Sequence, residues 1–184
     1  MSSSGSDVRL ISDRLVLREF LPSDDDAVQT YASDPVVTQF LLWGPNTIED
    51  TRGFIADAIE HSRNPRRTIF ELAVVHSRSQ TLIGGAGLSV TGAERDEGVI
   101  GYVFNRDFWS RGYATEAAKA LLRFGFEQLG LRRISATCDS GNVASATVLT
   151  KAGLLFEERI PNHLLVRGSL RDSLLFATSA PRRG

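Results

Sequence analysis

A glycine and several small residues stand where a loop runs into the most regular helical pattern of the sequence. The segment reads Trp109-Ser110-Arg111-Gly112-Tyr113-Ala114-Thr115-Glu116-Ala117. The first N–H groups of a helix have no intrahelical acceptors, and together with the helix dipole they bind anions such as a pyrophosphate. Because Gly112 has no Cβ, a phosphate can approach its backbone closely. The segment therefore indicates a phosphate-binding loop, with an ordinary loop entering a helix as the alternative.

Two other phosphate-binding motifs are excluded by the same residues. A dinucleotide-binding fold requires G-x-G-x-x-G soon after a strand, inside a strand–helix–strand unit, with an acidic residue farther along. Here Gly112 is the only glycine of the segment, and Ala114 takes the place of the second. A phosphate loop of the NTPase type fails as well, because no Gly-Lys-Ser or Gly-Lys-Thr follows.

A second helix start, at Asn142 and Ser145, combines capping residues with an inward-facing hydroxyl. Asn142 is predicted to be the N-cap and Ser145 the third residue of the helix, which is a capping arrangement. Ser145 also shares the i, i+3, i+4, i+7 face with Val148, Leu149 and Ala152. We therefore expect the Ser145 side chain to point inward, where it can meet a ligand.

The cysteine and the histidines of the sequence do not indicate a disulfide, a cysteine nucleophile or a metal site. Cys138 is the only cysteine, so no intramolecular disulfide can form, which favours a reducing compartment. A cysteine nucleophile needs a positioned histidine, and His61, His76 and His163 stand in no such motif. The histidines also lack metal-ligand spacing, so no metal is predicted.

The pattern of apolar residues predicts a mixed α/β fold. Expected strands cover 15–20, 68–75, 81–90, 98–104, 133–138, 154–159, 164–167 and 173–178, and expected helices begin after Pro22 and Thr47 and cover 109–130 and 142–152. The order is a strand, two helices, a three-stranded meander, a helix, a strand, a helix and the final strands. A mostly antiparallel sheet flanked by helices follows.

Composition places the chain among ordinary globular proteins. It has 184 residues, of which 42% are hydrophobic and 23% charged, and its net charge is −1. That charge gives no reason to expect a nucleic acid or an anionic membrane as partner, and no apolar run is long enough to cross a bilayer. We expect a flexible leader at residues 1–7, one domain over residues 8–180, and a cytoplasmic location.

The glycine-containing segment resembles the coenzyme A–binding loop of the GNAT superfamily of N-acetyltransferases, in its RimJ/RimL-like ribosomal-protein branch. Ile100-Gly101-Tyr102 ahead of the loop is similar to the same branch. So is the block Cys138–Ser145 with its continuation Val148–Gly153, where Leu154 replaces the usual phenylalanine. The closing stretch 166–173 also resembles the family. The matching blocks occur in the family's order and cover roughly residues 10–178.

The resemblance implies an acetyltransferase with acetyl-CoA as cosubstrate, free coenzyme A as product, and a GNAT-like fold. It implies that the acetyl thioester lies in a V-shaped gap between two central strands. The pantetheine arm would pair with the backbone of Tyr102, Val103 and Phe104, with an N–H near Val103 at the developing oxyanion. The pyrophosphate would be surrounded by Arg111, Gly112, Tyr113, Ala114 and Thr115. Asn142 would hold the pantetheine, and Ser145 would protonate or hydrogen-bond the departing thiolate.

The general base is the least defined part of the site. Many relatives carry an acid directly before the Ile100 segment, where this chain has Val99. Glu97 lies on the same strand face and is the expected base, acting through water. Glu116, which we expect to serve packing or the helix dipole, His163 and Asp172 are weaker candidates.

A weak base favours an acceptor of low pKa. An α-amine has a pKa near 7.7–8.0, whereas a lysine amine at about 10.4 must lose its proton against roughly 4 kcal/mol at pH 7.4. The favoured acceptor is therefore the α-amine of a protein or peptide. An antibiotic or metabolite amine is the alternative, as is a non-catalytic module that senses acetyl-CoA. A homodimer is expected by analogy with relatives.

Overall fold

Eight strands form one sheet in the computed structural model, which describes residues 7–180. Along the chain they are β1 (Arg9–Ile11), β2 (Leu15–Glu19), β3 (Ile69–His76), β4 (Thr81–Thr91), β5 (Glu97–Phe104), β6 (Arg133–Asp139), β7 (Leu155–Val166) and β8 (Ser169–Ser179). Across the sheet they run β1-β2-β3-β4-β5-β6-β8-β7. Only β5 and β6 are parallel to each other. The predicted mixed, mostly antiparallel α/β fold is confirmed.

Helices cover both faces of this sheet. They are α1 (Asp25–Ala32), α2 (Pro35–Thr38), α3 (Ile48–Arg63), α4 (Tyr113–Arg123) and α5 (Val143–Ala152). On the face that we call the α1/α3 face, Tyr31 and Ile55 pack against Ala73 of β3. On the opposite, α4/α5 face, Leu121 and Leu149 belong to the larger core. Each face is buried because strand side chains alternate between faces while each helix presents one apolar stripe.

The structure moves several predicted boundaries. The strand β1 was not predicted, because three residues are too few for an alternating pattern to show. The long helix begins at Tyr113 rather than Trp109, since Gly112 takes a left-handed conformation that no helix continues. After Arg123 the helix continues as a π turn, Phe124–Gln128. The two predicted strands at 154–159 and 164–167 form one strand, β7, with an irregular register between Ile160 and Leu164.

Of the three acids that follow Pro22, Asp25 and Asp26 lie in the first turn of α1, and Asp24 precedes the helix. Asp24 lies in a 3-10 turn, Pro22–Asp24, and is buried. Its carboxylate accepts from the Arg18 guanidinium at 2.7 Å and from the Leu21 N–H at 2.8 Å. Asp24 therefore ties the end of β2 to the start of α1.

The capping box predicted for α3 is confirmed. The Asp50 N–H donates to Thr47 Oγ1 at 3.2 Å, and the Thr47 N–H donates to Asp50 Oδ2 at 2.9 Å. The hydrogen bonds from the Thr47 backbone and hydroxyl lower the pKa of Asp50.

A gap opens between the two central parallel strands. β5 pairs with β6 only through Glu97–Val99 opposite Arg133–Ser135. The following residues of β5, as far as Phe104, have no partner on β6, although they remain paired with β4. The central strands therefore diverge from the Val99–Ser135 pair, and the expected V-shaped gap is present.

Of the expected leader, only Asp7 lies among the described residues. Within residues 7–180, no helix is long and apolar enough to cross a membrane.

One glycine of β4 allows β5 to approach closely. A Cβ on Gly84 would overlap the Val103 carbonyl oxygen, which belongs to the backbone. We predict that Gly84→Ala lowers the free energy of unfolding by about 1–3 kcal/mol, because the strand carrying the gap must shift. Urea denaturation measures the change.

The matched control is Gly53→Ala in α3, where an added Cβ meets nothing within 4 Å. That variant should gain about 0.5–1 kcal/mol from the better helix propensity of alanine. Equal effects of the two variants would contradict the close approach at Gly84.

Candidate functional site

Backbone direction decides which groups of β5 face the gap. The Asn105 N–H donates to the Ile83 carbonyl at 2.9 Å, so residue 105 faces β4. In an antiparallel pair the direction alternates from residue to residue, which places the Val103 N–H on β4 as well. The N–H groups of Tyr102 and Phe104 consequently point into the gap. Of the three residues expected beside the pantetheine arm, Tyr102 and Phe104 therefore present N–H groups to the gap, and Val103 does not.

A tyrosine and a serine meet across the α4/α5 side of the gap. Tyr102 lies on β5, and Ser145 lies in the first turn of α5, which follows β6 in the chain. The Tyr102 Oη is 3.0 Å from Ser145 Oγ and also donates to the Ser145 carbonyl at 3.3 Å. Both side chains are half-buried. The inward direction predicted for Ser145 is thus observed, and its partner is Tyr102.

The environment keeps both neighbouring acids protonated. Burial raises the pKa of Tyr102 to about 12, although the hydrogen bond from Ser145 works against the rise. Burial also raises the pKa of the Cys138 thiol, again against a hydrogen bond from Ser145. The Tyr102 phenol and the Ser145 hydroxyl therefore form a pair of neutral proton donors at physiological pH.

The cap of α5 holds Ser145 in place. The Ser145 N–H donates to Asn142 Oδ1 at 3.0 Å, as the capping prediction requires. Because this bond occupies the Asn142 oxygen, the amide nitrogen remains as its group for a ligand. Asn142 is half-buried at the end of the loop that follows β6.

The loop before α4 has the geometry of an anion site. Gly112 has φ 81°, a conformation that side chains rarely adopt, and it caps α4. The first intrahelical bond runs from the Glu116 N–H to the Gly112 carbonyl at 3.1 Å. The N–H groups of Tyr113, Ala114 and Thr115 precede it and have no intrahelical acceptor. The Arg111 guanidinium is exposed and lies 5.6 Å from the centroid of the Phe108 ring.

A clamp that the sequence did not reveal fixes this loop to the β1–β2 connection. Glu116 accepts from the Ser12 hydroxyl at 2.8 Å and from the Arg14 N–H at 2.7 Å. The Arg14 guanidinium donates to Glu116 at 2.8 Å and to the Arg111 carbonyl at 3.0 Å. It also lies 4.6 Å from the centroid of the Tyr113 ring. We call Ser12, Arg14 and Glu116 the loop clamp.

The structure separates the candidates for the base. Glu97 is exposed at the start of β5, beside Thr91 of β4 and Arg133 of β6. Asp172 accepts from the Asn162 N–H at 2.9 Å and from Arg159 at 2.8 Å, and these bonds lower its pKa. Asp172 therefore holds β7 to β8, while His163 is exposed on β7. Among residues 7–180, no group of three or more His, Cys, Asp and Glu converges as a metal site.

Comparison with known proteins now decides the family. The acetyltransferase (GNAT) domain model matches residues 14–155. The chain belongs to the GNAT family. It is 33% identical to the uncharacterized N-acetyltransferase YnaD of Bacillus subtilis, over 84% of this chain and 89% of that protein. The enzyme is accordingly an acetyl-CoA–dependent acetyltransferase.

Solved structures of the GNAT family have the same fold. An acetyltransferase from Bacillus anthracis is 30% identical, with a TM-score of 0.84 over 94% of this chain and 98% of that one. A ribosomal-protein-S5-alanine acetyltransferase from Vibrio fischeri is 22% identical, with a TM-score of 0.79 over 96% and 98%. The second likeness concerns the fold alone.

The loop clamp generates a prediction on stability and pH. Burial works to raise the pKa of Glu116, but hydrogen bonds from Arg14 and Ser12 outweigh it and lower the pKa. A carboxylate with a lowered folded-state pKa adds stability above the unfolded pKa of about 4.3, and this is lost as the pH falls through the folded value. Glu116→Gln should therefore cost about 1–3 kcal/mol at pH 7.

Denaturation curves across a pH series measure this cost. The difference between wild type and Glu116→Gln should shrink below about pH 4.3. Glu127→Gln is the control, because Glu127 is exposed in the π turn after α4 and makes no hydrogen bond or ion pair within residues 7–180. A cost at Glu116 that is independent of pH would contradict the clamp.

Proposed function

We propose that this GNAT enzyme acetylates the α-amine of a protein or peptide, by direct attack of the amine on bound acetyl-CoA in a ternary complex. The proposed acceptor class rests on the residue type at position 99. Val99 lies where β5 and β6 part, and the residue is 40% exposed to solvent. Position 99 itself therefore supplies no carboxylate. An acceptor that is partly neutral at physiological pH fits such a site better than lysine.

In the proposed complex, acetyl-CoA enters the gap between β5 and β6. The outward N–H groups of Tyr102 and Phe104 pair with the pantetheine arm and with the thioester carbonyl. A backbone donor fits this role, because attack on the carbonyl places negative charge on its oxygen. The free amide nitrogen of Asn142 donates to the pantetheine from the other wall.

The Tyr102–Ser145 pair is proposed to protonate the leaving group. The amine nitrogen forms a bond to the carbonyl carbon, and the carbon–sulfur bond then breaks with its electron pair on sulfur. Ser145 passes a proton to this thiolate and is resupplied by Tyr102 or by the acetylated nitrogen. A buried phenol with a raised pKa stays protonated, so Tyr102 can relay to Ser145 the proton that the nitrogen loses.

The pyrophosphate is assigned to the loop before α4. The N–H groups of Tyr113, Ala114 and Thr115 and the dipole of α4 provide the anion site. The Arg111 side chain is exposed beside this loop, where it can add positive charge to a bound phosphate. The loop clamp keeps these groups preorganised, because Arg14 is bonded to the Arg111 carbonyl.

A protein acceptor also has support from the fold. A protein whose name says that it acetylates the alanine of a ribosomal protein has the same fold. The predicted homodimer stays a prediction, and its support is the set of exposed apolar side chains on β7 and β8, namely Leu155, Phe156, Leu165 and Leu170.

Substitution of Gly112 tests the cofactor loop. Gly112→Ala strains a residue at φ 81°, and its Cβ would lie 3.4 Å from the Arg14 guanidinium. We expect the Kd for acetyl-CoA to rise about tenfold or more, since strain of about 1–3 kcal/mol must be relieved by moving the loop. Isothermal titration calorimetry measures the change.

Gly153→Ala is the matched control for this test. Gly153 also has a positive φ, 105°, but it ends α5 and an added Cβ meets nothing within 4 Å. Its substitution should cost comparable stability and leave the Kd unchanged. A Kd that rises equally in both variants would contradict the assignment of the loop.

Competing peptide acceptors test the acceptor class. One peptide carries a free N-terminal amine and no lysine, and the other carries a blocked N-terminus and one lysine. At pH 7.4 the neutral fraction of the first amine exceeds that of lysine by about two orders of magnitude. We expect kcat/KM to favour the first peptide by a similar factor, whereas faster acetylation of lysine or only of small amines would overturn the proposal.

A further inference from the structure

Glu71 has a half-buried carboxylate, and its cross-strand neighbours form a row across the sheet that ends at the gap. Glu71 of β3 pairs with Gly87 of β4, and Gly87 pairs with Gly101 of β5. Gly101 has no partner on β6, so the row ends in the gap. Ala73 lies two positions after Glu71 on β3, Val103 lies two positions after Gly101 on β5, and both pack on the α1/α3 face. Because side chains alternate between faces along a strand, the whole row lies on that face.

Two glycines leave this row open. A Cβ added to Gly101 would meet nothing within 4 Å, so the surface beside the gap has no side chain. A Cβ on Gly87 would lie 3.8 Å from Glu71 Cγ, which shows that the Glu71 side chain lies beside Gly87. Adjacent strands are about 4.8 Å apart, so the path from β3 to β5 is about 10 Å long. The carboxylate covers part of that distance, and bound water would have to span the rest.

Glu71 also lacks any role in the fold that would explain a half-buried charge. Within residues 7–180 its carboxylate makes no hydrogen bond and no ion pair. The charged or titratable groups that face it are His61 and Asp57 of α3 and Tyr31 of α1. A half-buried carboxylate without a partner costs stability, so its presence points to a function.

We propose that Glu71 accepts, through water in the Gly87–Gly101 row, the proton that the acceptor amine must lose before it attacks acetyl-CoA. This inference rests on the proposed acetyl transfer and adds a base to it. It also defines the acceptor as one that reaches the gap as an ammonium ion from the α1/α3 face, where the negative Glu71 attracts it.

Protons balance along this route. The ammonium R–NH3⁺ gives one proton through water to the Glu71 carboxylate, which later releases it to solvent. The neutral amine attacks, the carbon–nitrogen bond forms, and the carbon–sulfur bond breaks with its electrons on sulfur. The second proton leaves the nitrogen and reaches the thiolate through Ser145 and Tyr102. The sum is R–NH3⁺ plus acetyl-CoA giving the amide, coenzyme A and one proton.

Glu97 is less suited to this role because its row is closed. Glu97 has Thr91 on one side and Arg133 on the other, and both neighbouring strands are paired with β5 at that position. Its row therefore does not open into the gap, whereas the row of Glu71 does. Burial raises the pKa of Glu71 above its ordinary value of 4.5, which brings the carboxylate closer to the pKa of the amine.

Glu71→Gln is the central variant, Glu97→Gln tests the other candidate base, and Glu127→Gln in the exposed π turn is the matched control. The first readout is hydrolysis of acetyl-CoA without an acceptor, where water must also lose a proton. The second is kcat/KM for an alanine-initiated peptide and for phenethylamine. We expect Glu71→Gln to lower each rate at pH 7 by about 100-fold or more, while Glu127→Gln stays within about threefold.

The pH profile and the stability separate a base from a structural residue. The loss in Glu71→Gln should shrink above the amine pKa of about 7.7–8.0, because the amine is then already neutral. His61→Gln should leave the shape of the profile unchanged, which excludes titration of the neighbouring histidine. The Kd for acetyl-CoA should stay unchanged and the thermal midpoint should not fall, and Glu71→Asp should restore part of the rate.

The outcomes distinguish this inference from the proposed function. If phenethylamine is acetylated and the peptides are not, the acceptor class is wrong, and the Glu71 variants still decide the base. If Glu71→Gln keeps the wild-type rates while Glu97→Gln loses them, Glu71 is not the proton acceptor. A rate loss in Glu71→Gln that is equal at every pH would also overturn the inference.

Discussion

The site depends on the early end of a single strand pairing. β5 and β6 are held together only at Glu97–Val99 and Arg133–Ser135. Each strand is anchored on its other side, β5 by β4 and β6 by β8. The two halves of the sheet therefore keep their positions while the strands part, and backbone groups of β5 remain available to a ligand. An unpaired buried strand edge is costly unless a partner completes it, and the pantetheine arm is the partner proposed here.

The two faces of the sheet beside the gap carry different side chains. On the α4/α5 face, Tyr102 and Ser145 join the walls through a hydrogen bond, and burial raises the pKa of the Tyr102 phenol, which stays protonated. On the α1/α3 face, glycines leave a shallow open row that ends at Glu71. Proton donation to sulfur and proton removal from nitrogen are thereby assigned to opposite sides of the same strand. The alternation of side chains along β5 is what separates them.

The sequence predicted the features that depend on local pattern. The strand and helix order, the capping of α3 and α5 and the inward face of Ser145 all follow from short-range spacing, and the structure contains them. The start of α4 was misplaced at Trp109 because the apolar spacing does not reveal the left-handed conformation of Gly112, which interrupts the helix. The direction of the Val103 N–H was missed because it depends on the register with β4, which no local pattern contains.

The remaining features were not predicted because they depend on residues that are far apart in the sequence. Ser12 and Arg14 are about a hundred residues away from Glu116 in the chain, and only the sheet order brings them together. Glu71 looked like one polar residue in an alternating strand. Its relation to the gap appears only when Gly87 and Gly101 are seen to be its cross-strand neighbours.

Amide hydrogen exchange along β5, with and without acetyl-CoA, tests the central claim most directly. The Tyr102 and Phe104 N–H groups face the gap, whereas the Val103 N–H faces β4. The account predicts that acetyl-CoA slows exchange at Tyr102 and Phe104 and changes Val103 little. Equal slowing at all of these residues, or slowing only at sites outside β5, would show that acetyl-CoA does not pair with the exposed edge of this strand.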